Sequence, residues 1–241
     1  MKCIWEHNGN DTLLYSAEYI GAYSRGKNLD AALAKMKAEI ESYTAWSGQI
    51  VNEMPDIEII QEANSTLQIA DADSDILFDS EKAPLTIEEY KEFKALVLKS
   101  AQDFYNLYNS IVDKDISCLP QRTTFYGSVP RTAREMYEHT KSVNSYYFGE
   151  IGISADNEGT ILDCRKRGFE RLEQTKNFLE NLIYDGSYGE FWTLRKVMRR
   201  FLWHDRIHAK AMYRMAIKTF GEFGARNVFH FSIYSICRLL Y

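Results

Sequence analysis

Residues 194–215, LRKVMRRFLWHDRIHAKAMYRM, carry a seam of Leu194, Val197, Phe201, His204, His208, Ala211 and Met215 in alternating steps of three and four. That is the apolar stripe of a helix packed in a bundle. Two successive seam positions are histidine. An imidazole in an apolar core must satisfy a nitrogen on each side of its ring, so two stacked one turn apart are an uneconomical filling. Residues four apart on a helix lie about 5–6 Å apart at Cβ, and from there two Nε2 atoms reach one ion at about 2.0–2.1 Å. The competing reading is a hydrogen-bonded core pair, since His-x-x-x-His also arises by chance. The chain has only 5 histidines, and His139 stands on a second helical seam, after Met136 and before Val143 and Tyr146. Three imidazoles from two helices would form a neutral site with one position left for water. His7 and His230 lie off these seams and read as surface or local core residues.

The composition is that of a globular chain: 241 residues, 45% apolar and 26% charged. No stretch approaches the ~18 apolar residues of a membrane span, and the opening Met-Lys-Cys-Ile-Trp-Glu-His is too short and polar for a signal peptide, so a cytoplasmic location with no membrane partner is expected. The cysteines at 3, 118, 164 and 237 show no paired spacing and read as reduced thiols. Cys164 adjoins Arg165, Lys166 and Arg167, which would lower its pKa, but a helical thiol beside surface cations is usually inert.

Charge is unevenly divided. Residues 1–85 hold 15 acidic against 6 basic side chains, and residues 86–241 hold 19 against 23. No Lys or Arg occurs in the 44 residues from 38 to 81, which argues against nucleic-acid binding there, because phosphate contacts need cations. The histidine-bearing helix instead carries Arg195, Lys196, Arg199, Arg200, Arg206, Lys210 and Arg214. These cations are read either as a solvated face, or as docking to the acidic half, or as attraction for an anionic ligand.

In the first 80 residues, the run 12–23 has β-branched and aromatic residues in rough alternation, followed by a turn signal at 24–28. Leu29, Leu33, Met36, Ile40 and Tyr43 then recur at helical spacing. Short β-like runs follow at 57–60, 66–69 and 76–78, describing a small α+β module. This order, and especially GAYSRGKNLDAALAKMKAEIESY, resembles the HicB-like fold. In that family a hairpin ends in a Gly-x-x-x-x-Gly-like turn and a helix opening with small residues packs across the sheet. The resemblance implies a module (residues 1–83) for docking, self-association or recognition of a protein partner. The antitoxins of the family bind DNA through a separate small domain, and no basic helix-turn-helix or ribbon follows here.

The polar connector 79–84 ends in Pro84, placing a boundary near residue 83. Thr86 with Glu89, and Thr132 with Glu135, are capping boxes. They open helices over about 86–112 and 132–149. A third helix is expected over 160–183, with Phe169, Leu172, Leu179 and Leu182 inward, and the fourth is that of residues 194–215. Four long amphipathic helices joined by loops predict an antiparallel four-helix bundle over 84–241, closing with a tail, 221–241, that packs against the bundle or the first module.

The helix Thr-Ala-Arg-Glu-Met-Tyr-Glu-His ending at His139, Tyr146 seven residues on, and the later Phe-Leu-Trp-His-Asp-Arg-Ile-His resemble the DinB-like (YfiT-like) superfamily over residues 86 to about 220. The resemblance implies that His139, His204 and His208 bind a divalent metal, zinc or nickel. It also implies an activity among hydrolases, isomerases and thiol-dependent S-transferases on a small-molecule substrate, with a low-molecular-weight thiol as a second cofactor in the last case. A neutral three-histidine site leaves the metal its full charge, to activate water or a thiol.

Arg200, one turn before His204, and Tyr146 are candidates for contact with the substrate. Arg200 is equally read as solvated, and Tyr146 as core. Asp205 stands where a zincin has glutamate, but it is one methylene shorter and no further signature accompanies it. Glu135 is explained by its cap. The alternative function is a non-catalytic binding or regulatory protein acting through the first module.

Overall fold

Lys2–His7 is too short and mixed for periodicity to reveal, yet it forms the middle of the sheet. In a computed structural model of the chain, which describes residues 1–50, 56–69, 73–124 and 127–232, this strand, β1, pairs antiparallel with β2 (Thr12–Ser16) and parallel with β4 (Glu58–Asn64). β3 (Tyr23–Gly26) adds to β2, giving the order β3-β2-β1-β4. Both faces of β1 are covered, so its residues do not alternate between apolar and polar. Cys3 belongs with the core under α1 (Leu29–Ser47), whereas Ile4 packs with Leu13, Tyr15 and Trp203.

Several sequence expectations shift at this end. The run 12–23 is not one strand: the chain turns before Ala22, and Tyr23–Gly26, which overlaps the expected turn at 24–28, is an edge strand. Gly21 makes that turn with φ +84°, and a Cβ there would stand 2.4 Å from Leu202 Cβ, so glycine is required both for conformation and for approach to the last helix. The expected strand near 57–60 is β4. The runs 66–69 and 76–78 are not strands; Ile69, Ile76 and Phe78 bury themselves beside Trp203.

The capping boxes form as the spacing predicts. Thr86 and Glu89 exchange side-chain-to-backbone bonds at the start of α2 (Ile87–Ser110), and Thr132 and Glu135 do so at α3 (Ala133–Gly149). A third such box, Thr160 with Asp163, opens α4. α4 ends at Glu173 rather than near 183, because Asn177 and Asn181 take left-handed conformations (φ 58° and 56°) that stop a helix. Leu182, expected inward, is 56% exposed.

The last helix, α5 (Leu194–Phe220), packs against α2 and α3; α4 also packs against α2 and α3. α5 is buried on nearly all sides, including Lys196, Arg199, Arg200 and Arg206, so its cations are not a solvated face. They dock on the acidic part of the chain, Arg199 pairing with Glu81 and both Arg206 and Lys210 with Glu39, while Arg195 pairs with Glu89 on α2. One apolar core runs through both halves, from Met36, Ile40 and Trp46 to Phe104, Met212 and Phe229. From the tail, Phe229 and Phe231 lie in it, with Phe229 stacked on Trp46 at 5.4 Å, whereas Phe223 is exposed. Residues 233–241, Cys237 among them, lie outside the described residues. No described helix is long and apolar enough to cross a membrane.

Candidate metal centre

The cap on α3 fixes where His139 emerges. Glu135 accepts from the backbone N–H of Arg131 and Thr132, which holds its carboxyl below the usual range and occupies it as a cap rather than as a partner of histidine. His139 follows one turn later, at the exposed edge of a buried stripe made by Met136, Thr140, Asn144, Tyr147 and Phe148. On α5 the two histidines look towards that edge. Ring centroids are separated by 5.2 Å for His139 and His204, 4.6 Å for His139 and His208, and 4.4 Å for His204 and His208. One nitrogen from each ring lies within 4.8 Å of the others. Three nitrogens held by one tetrahedral ion at 2.0–2.1 Å lie about 3.3–3.4 Å apart, so the rings close by up to about 1.5 Å to share an ion.

His204 is 9% exposed, His208 is half-buried and His139 opens to solvent. Burial disfavours the charged form of all three. It lowers the pKa of His139, takes His204 well below its usual value with further repulsion from His208 and His139, and brings His208 to about 3. They stand as neutral imidazoles at pH 7, the form in which histidine ligates.

A core histidine pair would be hydrogen-bonded. Here His204 Nδ1 is buried without any hydrogen-bond partner, and none of the three rings bonds to another described residue. Convergent, neutral and unsatisfied nitrogens fit a divalent ion of borderline softness such as zinc or nickel.

The other candidates separate. Tyr146 is 36% exposed and stands edge-on to Trp192. Its neighbour Tyr147 is the buried ring against His204, at 6.1 Å and nearly perpendicular, and also touches Phe201 and Trp192. The seam count on α3 drifts by one residue because His139 lies beside the buried stripe rather than on it. Trp192 gave no signal of its own, lying in a two-residue strand before α5. Arg200 is buried, donates to Ser74 O and stands over the Tyr147 ring.

Asp205 points away from the histidines into a fully buried pair with Arg165 (3.3 Å), whose guanidinium covers the Phe201 ring. Burial pushes the Cys164 thiol up despite its basic neighbours, so it is inert. His7 stacks on Trp5 and meets Glu62, and His230 is exposed. Neither joins the cluster. No family model, no curated protein and no solved structure matches this chain.

Proposed function

We propose that this chain is a metal-dependent enzyme in which His139, His204 and His208 hold one zinc or nickel ion and a small molecule undergoes hydrolysis or S-transfer. The observation that carries this reading is the convergence of three neutral imidazoles, with His204 Nδ1 buried and without a hydrogen-bond partner among the described residues. An ion held there supplies Lewis acidity that brings water, or a low-molecular-weight thiol, towards ionisation at neutral pH. The protein's part is to keep the imidazoles uncharged by burial, to orient His204 against Tyr147, and to leave His139 open for substrate entry.

The reading includes the DinB-like antiparallel four-helix bundle for α2–α5, with a HicB-like module before it. Supporting it, contacts along α3 and α5 run in opposite order, His139 meeting His208 while Tyr147 meets Phe201. Gly21 in the turn before β3 and Gly26 at its end, followed by a helix beginning Leu-Asp-Ala-Ala that packs on β3, suit the module. A second reading, recognition of a protein partner or a second copy, rests on β4, an edge strand whose residues alternate between exposed and half-buried.

Elemental analysis of tag-free protein beside the His204→Ala, His208→Ala double variant tests the first reading. About one equivalent of zinc or nickel in the parent and none in the variant is expected. A parent that stays metal-free after reconstitution would end the enzyme reading.

A further inference from the structure

Residues 74–76 meet the last helix by a contact that repeats. Ser74 O accepts from Arg200, Asp75 O from Lys196 at 2.6 Å and Ile76 O from Arg199 at 2.8 Å, so three successive carbonyls are held by three buried cations of α5. The Ser74 hydroxyl meanwhile donates to Glu6 on β1 at 2.6 Å. Lys196 and Arg199 are each also paired directly with a carboxylate, Glu190 and Glu81. Arg200 differs: its other hydrogen-bonded partner is the Tyr147 hydroxyl on α3, and the Glu190 carboxylate acts on it as well. The fork of a guanidinium suits this double grip, a carbonyl on one side and a phenol oxygen on the other.

Tyr147 is also the ring against His204. A metal-binding histidine is ordinarily oriented by a hydrogen bond from its other ring nitrogen. His204 Nδ1 is buried without a partner among the described residues, so packing sets the ring. Tyr147 meets it at 6.1 Å and 85°, and is itself 2% exposed, between Trp192 at 5.4 Å and Phe201 at 5.2 Å. Ring contacts alone leave a phenol free to shift within its slot. A hydroxyl tied to an enclosed guanidinium removes that freedom.

We propose that Arg200 is a positioning residue of the histidine centre: by gripping Ser74 O and the Tyr147 hydroxyl together, it fixes the ring that fixes His204, and so makes the centre depend on the segment that follows the sheet. The inference rests on the metal-dependent reading for the ion, but the grip itself is read without metal.

The experiment uses full-length, chelator-treated protein labelled with nitrogen-15 histidine. Side-chain NMR signals, assigned with His204→Ala, report the His204 ring, and competition with a chromophoric chelator gives the zinc affinity of the same samples. Arg200→Lys keeps the charge but not the fork, and Tyr147→Phe keeps the ring but not the hydroxyl. Each is expected to move the His204 signals and to weaken zinc about tenfold at unchanged stoichiometry. The double variant should lose no more than either single one, because both break the same link. Thr86→Ala removes a helix cap and should lower the unfolding midpoint while leaving signals and affinity in place. Should Arg200→Lys fold poorly, Tyr147→Phe decides by itself. Unmoved His204 signals, a zinc loss no greater than that of Thr86→Ala, or losses that add in the double variant would overturn the proposal. A parent that takes up no zinc or nickel, yet whose His204 signals depend on Arg200, keeps the grip and discards the metal. One equivalent of metal with signals indifferent to Arg200 does the reverse.

Discussion

The seam arithmetic of residues 194–215 found His204 and His208 because histidine at core spacing is an anomaly that a sequence displays. It could not find the buried cations, because a run of arginines looks the same on a solvated face as in an interface. Arg199 is the sharpest case. It is 1% exposed, its guanidinium covers the Phe78 ring at 3.8 Å, and it is bidentate to Glu81, whose other contact is the Phe78 N–H. Removing one member of such a pair strands the other in a low-dielectric setting. Arg199→Met is therefore expected to cost about 3–5 kcal/mol in urea unfolding, and the double variant Arg199→Met, Glu81→Leu should recover much of it. A single variant within 1 kcal/mol of the parent would mean that Glu81 reaches water and the pair is not a buried one. The sequence offers Tyr146 as a candidate for substrate contact for a related reason: only packing decides which of two adjacent tyrosines turns inward.

At the scale of elements, the capping boxes were legible because the bonds are local: Thr86 and Glu89, Thr132 and Glu135 need nothing beyond three residues of chain. The end of α4 was not, since Asn177 and Asn181 are compatible with a helix and are pulled left-handed by what surrounds them. Asn181 donates to the carbonyls of Glu81 and Ala83 and accepts from the Arg195 N–H, pinning the chain between α2 and α5. Close approach of α4 to α3 is likewise invisible in sequence. It depends on Gly168, where a Cβ would lie 2.1 Å from a ring carbon of Phe148. Glycine in a helix interior ordinarily costs about 1 kcal/mol relative to alanine, so Gly168→Ala elsewhere on a helix would stabilise. Here the Phe148 ring, fully buried and packed on Phe169 and Phe201, cannot yield freely. The expected result is a net loss of about 1–3 kcal/mol in thermal or denaturant unfolding. A variant as stable as the parent would show that the two helices can part without penalty.

Over the whole molecule, the charge asymmetry between residues 1–85 and 86–241 was plain in the sequence; its use was not. The acidic part supplies carboxylates and the last helix supplies cations, so opposite charge selects how the sheet and α1 seat on α5. Glu39 is the hub. It is 6% exposed, and it accepts from Arg206 and from Lys210 together. Burial by itself would raise its pKa, but the two cations outweigh that and hold it below the usual carboxylate range. An acid whose pKa is lowered by folding binds fewer protons when folded than unfolded. Its contribution is therefore complete above the unfolded value of about 4.3 and is lost as pH falls through the lower, folded value. Glu39→Gln should be less stable than the parent by about 3–5 kcal/mol at pH 7, because Arg206 is left enclosed without its carboxylate. Below about pH 4.3 the gap should begin to narrow, and it should close as pH falls through the lower, folded value, where the parent carries a neutral group as well. Urea unfolding of both proteins between pH 7 and pH 3 measures this. A gap that stays constant across the range would mean that Glu39 acts through shape and hydrogen bonding alone, and that the two halves are not held together by charge.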